Sequence, residues 1–272
     1  MSLFNRAKII DQNFTSFVKS GNLPQSRIDF PLSNTNIKPS DLVSLFESQV
    51  LSRHMDLKAR LMKDEGKCYY TIGSSGHEGN AVFGRIFSYT DMAFLHYRSG
   101  ALFIERSRQI PGTTPLYDLA LSFTASADDP ISGGRHKVFG SKRLNIPPQT
   151  STISSHIPKA TGVALSIDRA RDLDIQEREL KNDSIVVCSF GDASINHSTA
   201  LGGFNTASWV THQGGHAPIV FICEDNGIGI SVPTPKNWIR DSFTNRPGYK
   251  YIACDGLNLI DLIEKSKEAE SY

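Results

Sequence analysis

The apolar positions of this chain fall into two kinds of run. In the first kind, apolar residues recur at helical spacing. KPSDLVSLFESQVLSRHMDLKARLMKDEG places Leu42, Leu45, Phe46, Val50, Leu57 and Leu61 near one face. Ser40 or Asp41 can cap that helix, and Gly66 can end it. HEGNAVFGRIFS predicts a second helix, opened by the Gly-Ser loop before it. LNLIDLIEKSKEAESY begins as another amphipathic helix and stops in mid-pattern, so a longer chain or a partner is expected there.

The second kind of run is continuous. DMAFLH, SIVVCSF, PIVFICE and YKYIAC are short, uninterrupted apolar stretches, separated by segments long enough for helices. Strands buried on both faces read this way, because neither face meets water. The pattern predicts an α/β fold: a doubly wound, mostly parallel sheet with helices on both faces. Residues 1–40 are rich in Asn, Ser and Pro and weakly periodic, so they read as an N-terminal arm with one short helix. That leaves residues 41–272 as the α/β domain. No internal repeat is visible. Residues 125–156 are rich in Gly, Ser and Pro, and a loop of that length is more often functional than idle.

Composition narrows the function classes. Of 272 residues, 39% are hydrophobic and 21% charged, enough for a sizeable core. Lys and Arg number 29 against 28 Asp and Glu, so no global charge argues for nucleic acid or an anionic membrane. Arg169, Arg171 and Arg178 alternate with acidic residues and read as a solvated helix face. Cys68, Cys188, Cys223 and Cys254 show no metal-type spacing, and the last three lie in apolar runs; buried free thiols in a reducing compartment are expected. No run reaches the ~18 apolar residues of a membrane span. MSLFNRAKIIDQNF lacks a signal-peptide core, and its Asp11 and few arginines disfavour a transit peptide.

The chemistry concentrates at two strand ends. SIVVCSF runs into Gly191-Asp192, and PIVFICE runs into Asp225-Asn226-Gly227. In a doubly wound sheet, the carboxyl ends of neighbouring parallel strands open onto one crevice. A carboxylate and an amide oxygen there are hard ligands suited to Mg²⁺, which completes its shell with phosphate and water. Ala193 and Ser194 are expected to start a helix whose amides favour a phosphate. The residues alone leave two readings open: a metal–diphosphate site, or a capping aspartate with an asparagine in a turn.

GDASINHSTALGGFN followed by PIVFICEDNGIGIS resembles the thiamine diphosphate signature of 2-oxo acid dehydrogenases, Gly-Asp-Gly and then Asn-Asn. Upstream, GSSGHEGNAVFG, FLHYRSGALF and GGRHKVFGSKRLNIPPQTSTISSHIPKATGVA resemble further segments of that family in unbroken order. The chain resembles the α part of its E1 component, the branched-chain type most of all. The resemblance implies the thiamine diphosphate-binding fold and a metal held by Asp192, Asn226 and the backbone carbonyl of Ile228. It places the diphosphate on Tyr97 and Arg98, with Gly191 and the amides of Ala193 and Ser194 beside it. Ser154 and His156 match the segment beside the cofactor rings, and Asn196 matches an asparagine after the Gly-Asp motif.

The chain departs from the family pattern at Ala193, in place of the third glycine, and at Asp225, in place of the first asparagine. Ala193 is expected to be tolerated if its φ is negative. The segment SWVTHQGGHAP lengthens the spacing and reads as a surface loop, which places His212 and His216 outside the site. His54 reads as helix surface. His77, His96, His136, His156 and His197 all fall in segments on the active-site side. His96 and His156 are the candidate catalytic residues, and His136 is a candidate for a substrate loop.

The resemblance further implies oxidative decarboxylation of a 2-oxo acid, branched-chain favoured, with acyl transfer to the lipoyl domain of an acyltransferase (E2). Pyruvate or acetoin as substrate, or an inactive fragment that only binds a partner, are the alternatives. The family's activating glutamate, which comes from its β part, and a further histidine, which lies on a loop beyond the last residue of this sequence, have no counterpart here, so a β-type subunit or a longer fused chain is expected to supply the rest. Positions 198–206, STALGGFNT, are expected to pack at that interface. Bacterial cytoplasm is the expected compartment, with mitochondrial matrix the alternative.

Overall fold

The computed structural model describes residues 5–23, 32, 35–69, 71–135, 139–149 and 151–272, with the side chains of residues 6 and 7 left out. In chain order its elements are α1 (Arg6–Ser20), α2 (Pro39–Asp64), α3 (Ala81–Ile86), β1 (Met92–Phe94), α4 (Gly100–Ser107) and α5 (Pro115–Phe123). A hairpin follows, β2 (Phe139–Ser141) and β3 (Ile146–Gln149). Then come α6 (Ile157–Asp172), β4 (Val186–Gly191), α7 (Ser198–His212), β5 (Ile219–Glu224), α8 (Trp238–Phe243) and α9 (Leu259–Ser271). His136 lies outside the described residues.

The frame is a three-stranded parallel sheet in the order β1-β4-β5. Successive residues of a strand face opposite sides, and β4 divides accordingly. Val186, Cys188 and Phe190 enter one apolar cluster with Ile157, Ala160 and Ala164 of α6 and Phe204 of α7. Val187 enters another with Leu102, Phe103 and Ile104 of α4 and the hairpin residues Phe139 and Ile146. Both faces of the sheet are therefore covered, as its continuous apolar strands require. Phe204 anchors the first cluster: it is fully buried, and its ring lies 5.2 Å from Phe190, 5.0 Å from Phe221 and 5.1 Å from Phe243. Gly203 beside it lets α6 approach α7, since a Cβ there would sit 2.8 Å from Ile157 Cγ2 and 3.1 Å from the Pro158 nitrogen.

Several expectations change. Helix α2 starts at Pro39 with Lys38 as its N-cap, not at Ser40 or Asp41, because proline suits the first helical position. Its buried face is Leu45, Ser48, Ser52, Asp56, Leu57 and Ala59, whereas Phe46 (55% exposed) and Leu61 (38%) look outward. HEGNAVFGRIFS forms a 3-10 turn over Glu78–Asn80 before the short α3. YKYIAC forms no strand. It packs Tyr249 and Tyr251 against the Phe204 cluster, and the Tyr249 hydroxyl donates to the Phe204 carbonyl at 2.9 Å. The segment expected to be one long loop contains the β2–β3 hairpin, because Phe139, Leu144 and Ile146 have a core to enter. All four thiols are free, but only Cys68 and Cys188 are buried; Cys254 is exposed, since no strand forms around it. His212 ends α7 rather than lying in a loop, and His216 contacts Asp168 at 2.7 Å. Among the described residues no helix is long and apolar enough to cross a membrane.

Replacing Phe204 by Ala should cost about 3–5 kcal/mol, because the ring is enclosed on all sides and the site cannot collapse fully. Urea denaturation would read the loss; a cost below about 1 kcal/mol would show that the cluster does not carry this face.

Candidate active site

Parallel pairing of β4 with β5 runs from Val186↔Ile219 to Gly191↔Glu224. Asp192 and Asp225 are therefore the next residues out, at the same end of the sheet. Asp192 is 1% exposed. Its Oδ2 accepts the Gly227 N–H at 2.9 Å, and its Oδ1 accepts the Ala193 N–H at 2.7 Å. A buried carboxylate needs such donors. The Gly227 bond also draws the Asn226 turn onto Asp192, with Gly227 at φ +75°. Asn226 is exposed, and its Oδ1 accepts the Ile228 N–H at 3.1 Å. Ile228 is exposed and pairs with Pro233 in an isolated bridge.

The residues after Asp192 differ from expectation. Asp192–Asn196 is a 3-10 turn, and α7 begins only at Ser198, with His197 as its N-cap accepting from the Thr199 N–H at 3.2 Å. Asp192 takes the Ala193 amide for itself, so that amide is not the open first amide of the long helix. Ala193 in this turn keeps a right-handed backbone, as the absence of the third glycine requires. Ser194 Oγ donates to the Gly191 carbonyl. The Ser194 carbonyl accepts from Ser154 Oγ at 3.1 Å, and Ser154 is a buried serine at φ +74°. A non-glycine residue held at positive φ marks a position that its surroundings dictate. Asn196 is exposed, and its Oδ1 accepts from the Trp238 indole at 3.0 Å.

Tyr97 and Arg98 follow β1 at the same end of the sheet. Arg98 Nη1 donates to the Gly73 carbonyl at 2.5 Å, and its guanidinium lies 5.2 Å from the Tyr97 ring centre. His96 lies beneath them. Its backbone N–H donates to Ser189 Oγ at 2.8 Å, and its Nδ1 accepts the Arg98 N–H at 3.0 Å. An Nδ1 that accepts leaves the ring proton on Nε2. Nε2 lies 3.6 Å from where a Gly191 Cβ would be, so this donor sits against the end of β4. Burial, with help from His77, Arg98 and His156, holds the His96 pKa down at about 2, so the ring is neutral at pH 7.

His156 is fully buried, with Nε2 2.9 Å from the Ser189 carbonyl. A carbonyl only accepts, so Nε2 carries the proton and the buried Nδ1 is left without a partner. Burial lowers its pKa too. His77 stacks on His96 with ring centres 4.8 Å apart. Burial, then Arg98, lowers its pKa to about 4. Its Nδ1 is 3.7 Å from Glu224 Oε1 and has no hydrogen-bond partner. Burial pushes Glu224 up to about 8, against the Asn80 amide that donates to it at 3.3 Å. At pH 7 that contact therefore joins two mainly uncharged groups and is not an ion pair. Glu224 and Asn80 carry no motif signal of their own in the sequence. The one cue for Glu224 is its place closing an apolar strand beside Asp225-Asn226.

The donor set fits a small hard cation. Asp192 keeps lone pairs beyond its two amide bonds, Asn226 offers an amide oxygen at the surface, and Ile228 offers a carbonyl. Among the described residues no three His, Cys, Asp or Glu side chains gather as a metal site. A metal at Asp192 would thus rely on amide, carbonyl and phosphate oxygens, the habit of Mg²⁺.

The family model for the dehydrogenase E1 component matches residues 47–272, and the chain belongs to that family. It is 27% identical over 250 residues to the mouse mitochondrial 2-oxoisovalerate dehydrogenase subunit alpha, covering 90% of this chain and 52% of that protein. The human protein of that name is 26% identical over 250 residues, with the same coverage. The Bacillus subtilis 2-oxoisovalerate dehydrogenase subunit alpha is 28% identical over 237 residues, covering 84% of this chain and 65% of that protein. The chain thus spans about half the length of the mammalian relatives. The relatives include mitochondrial and bacterial proteins.

The neutral histidines give stability a pH signature. Between about 4 and 6.5 the unfolded chain binds a proton at His77 that the folded chain does not. Stability therefore rises with pH over that window and is lost as pH falls. Urea denaturation at pH 7 and pH 5 should show His77→Gln gaining on the wild type at the lower pH. An unchanged difference would mean that His77 is not held neutral.

Proposed function

We propose that this chain is the α-type part of a 2-oxo acid dehydrogenase E1 component that uses thiamine diphosphate and Mg²⁺. The reaction is oxidative decarboxylation of a 2-oxo acid, branched-chain substrates favoured, with the acyl group passing to the lipoyl domain of an acyltransferase (E2). The observation that carries this is the Asp192–Gly227 bond, which puts a buried carboxylate beside Asn226 at adjacent strand ends. Family membership supports the cofactor class, and the printed names of the relatives support the branched-chain substrate.

Thiamine diphosphate, when bound, supplies an electron sink for the loss of carbon dioxide. The chain supplies position and charge. Asp192, Asn226 and the Ile228 carbonyl would hold the Mg²⁺. Arg98, a rigid fork of donors, and Tyr97 would hold the diphosphate, with Gly191, Ala193 and Ser194 forming the adjacent wall. His96 offers a neutral Nε2–H donor at the end of β4, suited to orienting an anionic group rather than moving a proton at pH 7. Ser154 and His156 fix the loop and strand that frame the cofactor rings. The sheet with both faces covered supports the doubly wound thiamine diphosphate-binding fold over residues 41–272, with residues 1–40 as an arm.

A β-type subunit or fused β half completes the site in this proposal. Ile228, Ile230 and Val232 are 63%, 86% and 59% exposed beside Asn226, an apolar rim that favours a partner over water. Leu201 of α7 is also exposed, while Ala200, Gly203 and Phe204 face the core.

Two measurements test the proposal. With Mg²⁺ and thiamine diphosphate at ~100 times the dissociation constant, the melt should shift by the equivalent of ~2.7 kcal/mol. Asp192→Ala should abolish the shift, and a shift retained in that variant would remove the metal assignment. With a β-type partner and lipoyl acceptor, branched 2-oxo acids should turn over faster than pyruvate. Preference for pyruvate would overturn the substrate assignment.

A further inference from the structure

Arg98 leans on a segment remote from it in sequence. Its guanidinium donates to the carbonyl of Gly73. A carbonyl in a turn holds a guanidinium in place only if the turn is itself fixed, and one face of α2 fixes this one. Asp56, 5% exposed, accepts both the Ser74 N–H at 2.6 Å and the Ser74 hydroxyl at 2.9 Å. Ser52, one helical turn earlier, donates to Ser74 Oγ at 2.9 Å. The approach is close: a Cβ at Gly73 would sit 3.1 Å from Asp56 Oδ2. The same face meets the other end of the Arg98 segment, where a Cβ at Gly100 would lie 2.6 Å from Ser52 Oγ. Asp56, Ser52, Ser74, Tyr97 and Arg98 share the lining of one small cavity.

A carboxylate on the buried face of a helix has a desolvation cost that an apolar residue would avoid. Here it brings rigidity to a backbone carbonyl. We propose that Asp56 is a positioning residue for the diphosphate: it clamps Gly73-Ser74, and that turn aims Arg98. The inference rests on the proposed thiamine diphosphate site. Arg53 Nη1 stands 3.7 Å from the same Asp56 oxygen, on the same helix. Asp56 is therefore tied both to its own helix and to the Gly73-Ser74 turn, and the Ser74 bonds reach toward the site.

The test is a double-mutant cycle on thiamine diphosphate affinity, measured calorimetrically with Mg²⁺ on the full-length protein and its β-type partner. Asp56→Asn and Arg98→Met should each weaken binding by about tenfold, the scale of one hydrogen bond to a charged group. If Asp56 acts through Arg98, the double variant should bind no more weakly than Arg98→Met alone. Thiamine monophosphate, with one phosphate fewer to grip, should show a smaller loss in Asp56→Asn. A double variant whose losses multiply, or an Asp56→Asn protein with wild-type affinity, would overturn the inference while leaving the cofactor site intact. A wild-type protein that does not bind thiamine diphosphate would overturn the site and the inference together. Should Asp56→Asn fail to fold, Ser74→Ala removes one of the two clamping bonds and runs the same cycle.

Discussion

The hydrogen bond from the Gly227 amide to the Asp192 carboxylate holds the site together. It closes a ring whose other sides are the register of β4 and β5 and the Gly227 turn. Register alone places Asp192 opposite Asp225. The bond then ties the Asn226-Gly227 turn to Asp192, with Asn226 exposed at the surface and its Oδ1 accepting the Ile228 N–H. Asp225 is left exposed, with its pKa raised by burial and by the Asp192 charge.

Beneath that ring lies a layer chosen for neutrality. His77, His96 and His156 are buried and uncharged at pH 7, and Glu224 is held mainly protonated. Two of the imidazoles point a proton in a defined direction: His96 through Nε2 beside Gly191, His156 into the Ser189 carbonyl. Uncharged imidazoles near Arg98 add no positive charge that would repel it. An anionic ligand that relies on Arg98 and a metal benefits from such a floor.

Much of this was legible in the sequence, for a physical reason. Continuous apolar strands ending in Asp192 and Asn226 announce a parallel sheet, because burial on both faces leaves no polar alternation, and the pairing brings those two strand ends to the same side. The Ser48-Ser52-Asp56 part of the α2 face was not legible, since a search for apolar periodicity finds Leu45 and Leu57, which are buried, adds Phe46 and Leu61, which are exposed, and passes over polar residues on the inward face. The start of α7 is not legible, because the Asp192 side chain takes the Ala193 amide and the helix begins only at Ser198. YKYIAC reads as a strand by composition, yet Tyr249 packs its ring against both Phe221 and Phe243 instead of entering a ladder.

The most direct measurement is a crystal structure of the protein grown with thiamine diphosphate and Mn²⁺, with the metal located by its anomalous signal. One Mn²⁺ peak within bonding distance of the Asp192 carboxylate and the Asn226 amide oxygen, with the diphosphate against Arg98, is the expected result. A metal bound elsewhere, or a diphosphate that does not touch the Asp192–Gly227 ring, would contradict the central role given to that ring.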